Sequence, residues 1–392
     1  SRQGAKLTAP RLGRLGLQAG VAINAGDRDA GVMASEWRDG RAMDPEITDL
    51  EIPDLETRDP ETRDPETMGL ETGKAATTAE QATSTTVLNP STAVKLLVLG
   101  GGYCGLRLAQ RAAELGVTGM VSQRRPAGAT ALPQGWTSVP FDSTTGLLPQ
   151  RQELAGVTHV VSTIAPDAEG NDPVLQALET LLQTLQPHWL GYLSTTGVYG
   201  DTGGAWVDEQ SPCQPRAGRS QARLACEQRW RELGLPLQIF RLPAIYGPGR
   251  NPLPELLAGR SRLLHKPGQV FCRVHVDDIC GALLHCLGQA PSAPTAVVNV
   301  CDDVPCSSSE LLGYGAHLLG CKLPAVQRFE QAAADMSPMA RSFWSENRRV
   351  SNDLLVRTLG YRLRYPSYRE GLRACLAAEG AQAPSPTPGS AT

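Results

Sequence analysis

The sequence predicts an α/β fold built on a doubly wound parallel sheet, and three features carry that prediction. From Lys95 to Leu115 the chain reads KLLVLGGGYCGLRLAQRAAEL, an apolar run that breaks into glycines and resumes as an amphipathic stretch. Downstream, short apolar runs alternate with segments of helical periodicity at a steady rhythm. These signals are confined to roughly 285 residues, enough for one large α/β domain with a smaller appended part.

The first element explains the glycines. The run ending at Val98 and Leu99 suits a strand buried on both faces, and Leu106, Leu108, Ala109, Ala112, Ala113 and Leu115 recur at helical spacing. Between them stands G-x-G-x-x-G at Gly100, Gly102 and Gly105. In a dinucleotide site the first glycine makes the tight turn, the second lets backbone approach a pyrophosphate, and the third lets helix and strand touch. The pyrophosphate would rest on the N–H groups of the helix N-terminus. Tyr103 and Cys104 join the three glycines as cofactor-binding candidates, although Cys104 also reads as a small packing residue.

Thr118 to Gln123 supplies the second strand. An NAD site usually places a carboxylate after this strand, whereas here Arg124 and Arg125 follow, and a guanidinium there would pair with the 2′-phosphate of NADP. The alternative is a solvated basic turn, so NADP is favoured and NAD stays open. Ser138 to Phe141 gives a third strand, with Asp142 at its end to accept a hydrogen bond from an adenine amino group. Thr158 to Ile164 gives the fourth, with Ser162 and Thr163 beside the expected cofactor path. A helix from Pro173 to Gln186 aligns Leu175, Leu178, Leu181, Leu182 and Leu185 on one face. Strand five, Trp189 to Leu193, runs into Ser194, Thr195, Thr196, Gly197, Val198, Tyr199 and Gly200, and chemistry is expected at the carboxyl ends of strands four to six.

Composition bounds the rest. A net charge of −3 without a basic stripe argues against nucleic acid, and no run of about twenty apolar residues is present to span a membrane. Ten cysteines without a CxxC pair argue against a zinc site and for buried thiols in a reducing intracellular, cytoplasmic setting. Residues 1–92 read as a disordered leader. They hold one aromatic residue, Trp37, and the repeat ETRDPETRDPET, whose prolines exclude a long helix. Arg2, Lys6, Arg11 and Arg14, with no acidic residue before Asp27, match the composition of a plastid or mitochondrial transit segment. Residues 93–380 form the expected folded domain, and 381–392 (AQAPSPTPGSAT) an unstructured tail.

Three strings, YLSTTGVYGD, FRLPAIYGPGR and RVHVDDICGALLHCL, followed by RRVSNDLLVRTLGYRLRYPSYREGL, make residues 94–374 resemble an extended or atypical short-chain dehydrogenase/reductase of the NAD(P)-dependent epimerase/dehydratase superfamily. The resemblance implies a Rossmann domain with a small C-terminal substrate-side lobe, drawn from about residues 200–217, 250–272 and 300–350. Thr195 would orient the substrate, with Ser194 and Thr196 flanking it, and Pro243, Ala244 and Ile245 would touch the nicotinamide end. Two helices, Pro173 to Gln186 and Arg219 to Leu233, pair between subunits of many relatives, which implies a homodimer. Arg260, Arg262 and Lys266 would suit an anionic or nucleotide-like substrate, or serve as surface charges.

One departure limits the inference. Relatives carry a tyrosine as general acid/base and, four residues later, a lysine. Matching the superfamily's lysine-x3-glutamate onto Arg223 and Glu227 puts Arg219 at the tyrosine position. Arg223 can still hold ribose hydroxyls or a phosphate, but a guanidinium stays protonated near neutrality and is a poor proton shuttle. Tyr199, Tyr246 and His275 are the other proton-transfer candidates. Asp277 and Asp278 read either as partners of that imidazole or as caps of their own helix. Two functions follow: an NAD(P)-dependent oxidoreductase or epimerase/dehydratase-like enzyme acting on a sugar nucleotide or small carbonyl compound, or a catalytically silent NADP-binding sensor or scaffold.

Overall fold

Leu96 to Leu99 carry no exposed surface, because the strand they form is covered on both faces. The computed structural model describes residues 94–125, 131–216, 218–289 and 297–380, and the expected leader and tail lie outside these residues. Strand β1 (Lys95–Leu99) leads through the glycine turn into α1 (Tyr103–Glu114), then β2 (Thr118–Gln123), β3 (Trp136–Pro140) and β4 (His159–Ser162). Next come α2 (Pro173–Leu185), β5 (Trp189–Thr195), a 3-10 turn (Thr196–Tyr199), β6 (Trp206–Val207), α3 (Gly218–Glu232) and β7 (Leu237–Leu242). The main sheet has seven strands in the order β11-β7-β5-β4-β1-β2-β3, all parallel, with β11 at Val297–Asn299. Strand order reverses between β1 and β4, where the loops diverge to opposite faces and leave a crevice at the carboxyl ends. The doubly wound parallel sheet with a smaller lobe is therefore the observed fold.

Each face has its own core. On one, α1 and α5 (Val276–Gln289) set Leu108, Ala109, Ala112, Ile279 and Leu283 against Leu96, Val98 and Val121. On the other, α2 and α3 set Leu175, Leu178, Leu182, Cys226 and Trp230 against Leu97, Leu99 and Tyr192. Asp172 locks the second layer: its Oδ1 accepts from the backbone of Val174 and Leu175 at the N-terminus of α2, and its Oδ2 accepts from the Trp230 indole of α3 at 2.7 Å.

The chain leaves the main sheet at Pro243, which has no N–H to donate, and β8 (Ala244–Tyr246) pairs with β10 (Arg273–His275) instead. The lobe then accumulates from α4 (Leu253–Leu257), β9 (Leu263–His265), α6 (Ser308–Leu319), β12 (Val326–Arg328), α7 (Phe329–Ala332) and α8 (Pro338–Trp344). Its two small sheets join β9 to β12 and β6 to β13 (Arg349–Val350), so the lobe is drawn from three separate parts of the chain. A π-helical turn (Leu354–Thr358) and α9 (Tyr368–Gly380) close the described structure. Some element bounds differ from expectation: β3 begins at Trp136 rather than Ser138, because the Trp136 indole donates to Val117 O at 2.9 Å and pins that end of the strand. Among the described residues no helix is long and apolar enough to cross a membrane.

Candidate functional site

The glycine turn is built by close approach. Gly100 has φ +114°, and a Cβ there would lie 2.3 Å from Thr163 Oγ1. A Cβ on Gly105 would lie 1.9 Å from Gly100 O, so helix and strand touch at a point only glycine permits. Gly102 is the N-cap of α1, no side chain caps the first turn, and that turn has no acidic residue. Its N–H groups, at the positive end of the helix dipole, are suited to the oxygens of a pyrophosphate. Cys104 is half-buried and packs against the core, in keeping with its packing role. Of the two hydroxyls expected beside the cofactor path, only one finds a hydrogen-bond partner among the described residues. Thr163 Oγ1 donates to Leu99 O and Gly100 O and fastens the turn, while Ser162 is wholly buried beneath it. Neither lines the cavity, and Ala165, Pro166 and Asp167 do so in their place.

That cavity, about 1330 Å³, runs from Gly101, Gly102 and Tyr103 past Thr195 and the Pro243–Tyr246 segment into the lobe. Pro243 and Ile245 line it, as does Tyr103, whose hydroxyl donates to Pro248 O at 3.1 Å. Arg124 and Arg125 stand exposed after β2, outside the cavity lining. Asp142 follows β3 and accepts from Thr144 N and Oγ1, which hold its carboxyl below the usual range with Arg124 adding to the effect.

The strand-five hydroxyls have distinct tasks. Thr195 Oγ1 accepts from Gly197 N at 3.1 Å, which uses a lone pair and leaves its proton for donation into the cavity it lines. Ser194 donates to Glu227 Oε1 at 2.6 Å, and Glu227 also receives Arg241 Nε and Nη2 at 3.1 and 2.8 Å. Ser194 lines the cavity, but its hydroxyl is tied into a buried ion pair. Tyr199, by contrast, lies away from the cavity. It is 1 % exposed and donates its hydroxyl to Asn299 Oδ1 at 2.8 Å.

The remaining proton-transfer candidates turn inward as well. The Tyr246 hydroxyl lies against α9 in space left by Gly371, where a Cβ would approach it to 1.9 Å. His275 is 1 % exposed, and its Nδ1 accepts from Asp277 N, so the histidine caps α5. The two aspartates do not cap it. Asp277 pairs with Arg107 of α1, and Asp278 accepts from Tyr361 Oη and the backbone of Arg364 and Tyr365. Burial pushes His275 down to about 4, with Asp277 opposing and Arg107 and Arg364 reinforcing. Burial, aided by His188, also lowers His159 to about 4. Unfolded histidine binds its proton near 6.5. Each site therefore contributes stability that is complete above about pH 6.5 and is lost as pH falls toward 4. Urea unfolding at pH 7 and 4.5 is expected to show roughly 2–3 kcal/mol lost per histidine. His275→Asn, which keeps an acceptor for Asp277 N, should remove one share of that slope.

Seven arginines and three carboxylates line the cavity. Arg260 is paired with Glu255 and Arg348 with Glu346, while Arg262 bonds Gln327. Lys266 is not among the lining residues: its ammonium bonds Trp344 O and sits 5.0 Å over the Phe329 ring, so it stiffens the lobe. Arg223 lines the cavity with Nη1 donating to Leu193 O at 2.8 Å and to Tyr192 Oη at 3.3 Å. Arg219 lines it too, its guanidinium 4.1 Å over the Phe343 ring. Ser220 and Phe343 were not singled out from sequence. Ser220 stands beside Arg219 in the string RSQAR, which could have marked it, whereas Phe343 lies in a lobe segment with no motif. Among the described residues no group of three or more His, Cys, Asp or Glu is placed to hold a metal ion, and the ten cysteines form no disulfide.

Solved structures share this fold. A functionally unknown conserved protein from Silicibacter pomeroyi is 43 % identical, with 73 % of this chain and 99 % of that one aligned at a TM-score of 0.67. A Methylobacillus flagellatus protein provisionally named an NAD-dependent epimerase/dehydratase is 25 % identical over 74 % of this chain and all of its own, at a TM-score of 0.57. The chain belongs to the extended short-chain dehydrogenase/reductases, the NAD(P)-dependent epimerase/dehydratase superfamily. The same fold occurs in the dTDP-glucose 4,6-dehydratase of Bacillus anthracis, solved with NAD, at 17 % identity over 74 % of this chain and 98 % of that one, with a TM-score of 0.59. No protein-family model and no curated protein matches the sequence. In this extended short-chain dehydrogenase/reductase, Arg219 and Arg223 share one wall of the cavity.

Proposed function

We infer that the chain is an NAD(P)-binding oxidoreductase or epimerase/dehydratase-like enzyme acting on an anionic sugar nucleotide or small carbonyl substrate. One observation carries this reading: a single cavity joins the glycine turn to an arginine-rich lobe. At about 1330 Å³ it exceeds the roughly 300–1,000 Å³ of a site for one drug-sized ligand, leaving room for a dinucleotide and a substrate end to end. An excess of cationic groups between low-dielectric walls concentrates anions. The residues present suit a nicotinamide dinucleotide: the N-terminal turn of α1 would hold the pyrophosphate, Arg223 the ribose, and Pro243 and Ile245 the nicotinamide face. When bound, that group supplies hydride acceptance or donation. The Thr195 proton is free to donate to a substrate carbonyl, and the side chains around it hold and orient. Pairing of α2 and α3 between two subunits belongs to the same reading.

A second reading, a silent NADP-binding sensor or scaffold, is favoured by the guanidinium at the tyrosine position and by the structural engagement of Ser194 and Tyr199. Calorimetric titration with NADPH and NADH, followed by incubation with sugar-nucleotide and carbonyl pools and analysis of absorbance and products, separates the two. Binding with turnover supports the enzyme, binding without turnover across those pools supports the sensor, and no binding overturns both. The double variant Arg124→Asp/Arg125→Ser is expected to weaken NADPH at least tenfold and NADH less than twofold, from loss of a charge-assisted phosphate contact. Equal effects on the two would remove the 2′-phosphate assignment.

A further inference from the structure

The cavity-facing end of α3 carries two groups, Arg219 and Ser220, that the reading above leaves without a task. The Arg219 guanidinium stacks on Phe343 and makes no ion pair or hydrogen bond with any described residue. Ser220, the next residue, is 5 % exposed and lines the cavity, and its Oγ lies 2.6 Å from where a Cβ on Gly197 would stand, beside Thr195. No described residue makes a hydrogen bond with that hydroxyl. One turn further, Arg223 lines the same wall, anchored through Nη1 and with its other N–H groups uncommitted. The helix spans fifteen residues, has no acidic residue in its first turn, and points the positive end of its dipole at this corner.

We propose that the N-terminal turn of α3 is a carboxylate subsite, in which Arg219 and Ser220 bind the carboxylate of an acidic substrate beside Thr195 and select it over the neutral analogue. The proposal rests on the cavity being the substrate site. Its chemistry follows from the stack. Phe343 covers one face of the guanidinium, so recognition falls to the edge, whose two parallel N–H groups match a planar carboxylate. The Ser220 hydroxyl opens on the cavity from a residue only 5 % exposed, so a ligand oxygen there gives it a partner. The phosphates of a dinucleotide belong at the opposite end, on the first turn of α1, so the two anion sites do not compete. At the position where relatives place a proton-transferring tyrosine, this chain grips charge.

The test compares a nucleoside-diphosphate hexuronate with the matching nucleoside-diphosphate hexose by calorimetry, on wild type, Arg219→Gln and Ser220→Ala. NADPH and NADH titrations of the same proteins report an intact fold and cofactor site. Wild type is expected to bind the hexuronate at least tenfold tighter. Arg219→Gln should abolish that preference and Ser220→Ala reduce it severalfold, with cofactor affinity unchanged. Equal binding of the pair by wild type, or a preference that survives Arg219→Gln, overturns the proposal. A second measurement needs no nucleotide: modification of Arg219 by phenylglyoxal, followed by peptide mass, with glucuronate or glucose present and exposed Arg124 as reference. Protection of Arg219 by glucuronate alone upholds the subsite, and equal modification rates overturn it. Should neither nucleotide sugar bind a protein that binds the dinucleotide, the sugar-nucleotide reading falls and the subsite stands or falls on the protection result.

Discussion

Glu227→Ala is expected to cost about 3–5 kcal/mol, the largest loss from any single side-chain truncation proposed for this chain. Glu227 has no exposed side-chain surface, and Arg241, which it holds through both carboxylate oxygens, is 4 % exposed. Burial works against the Arg241 charge, yet the carboxylate outweighs it and raises the arginine above its ordinary value. Truncating the acid strands that charge and also removes the acceptor of Ser194 at the end of β5. Urea unfolding should therefore show a large drop in midpoint with an unchanged slope. Glu227→Leu combined with Arg241→Met, which removes both charges and keeps volume, should recover most of the loss. A drop below about 1 kcal/mol for the single variant would mean that water reaches the pair.

Gly105→Ala should be the most damaging small change at the glycine turn. Helix propensity alone would favour alanine by about 1 kcal/mol. The added methyl, however, would stand 1.9 Å from Gly100 O and 3.0 Å from its carbonyl carbon, and backbone at a strand end cannot rotate aside as a side chain would. The clash outweighs propensity, and a loss of about 3 kcal/mol is expected, with dinucleotide affinity reduced at least tenfold because the whole turn shifts. Gly218→Ala is the control: no atom lies within 4 Å of its added Cβ, and its stability should change by less than about 1 kcal/mol. Similar unfolding midpoints for the two variants would contradict the close helix–strand contact.

The sheet and the glycine turn were legible in the sequence for one reason. A strand such as β1 is buried on both faces and so reads as a continuous apolar run, and the turn between β1 and α1 needs glycine at positions where backbone meets backbone. The polar partners were not legible. Ser194 finds its acceptor 33 residues away and Tyr199 finds Asn299 100 residues away, and no local pattern encodes such a choice. The HVDD string shows the same limit, since its aspartates serve Arg107 and the 361–365 segment rather than the helix that carries them. The lobe stayed indistinct because its strands are two or three residues long, too short for a period to register. The wall shared by Arg219 and Arg223 was legible from their spacing, but the Phe343 ring that sets the direction of Arg219 was not.

The pairing of β6 with β13 has a consequence for the order in which the chain can complete itself. On a ribosome, Trp206 and Val207 emerge long before Arg349 and Val350, and the strap they form together cannot close until nearly the whole domain has been made. A nascent chain that has passed β7 already holds most of its main sheet, yet the Arg349 and Asn347 contacts to Gly204 and Thr202 still lie ahead in the message. Such a chain has a wall for a dinucleotide and no roof for a substrate. Loop closure over so long a span is slow. A premature stop before Arg349 is expected to leave a species that keeps its sheet and exposes the apolar underside of the lobe to chaperones.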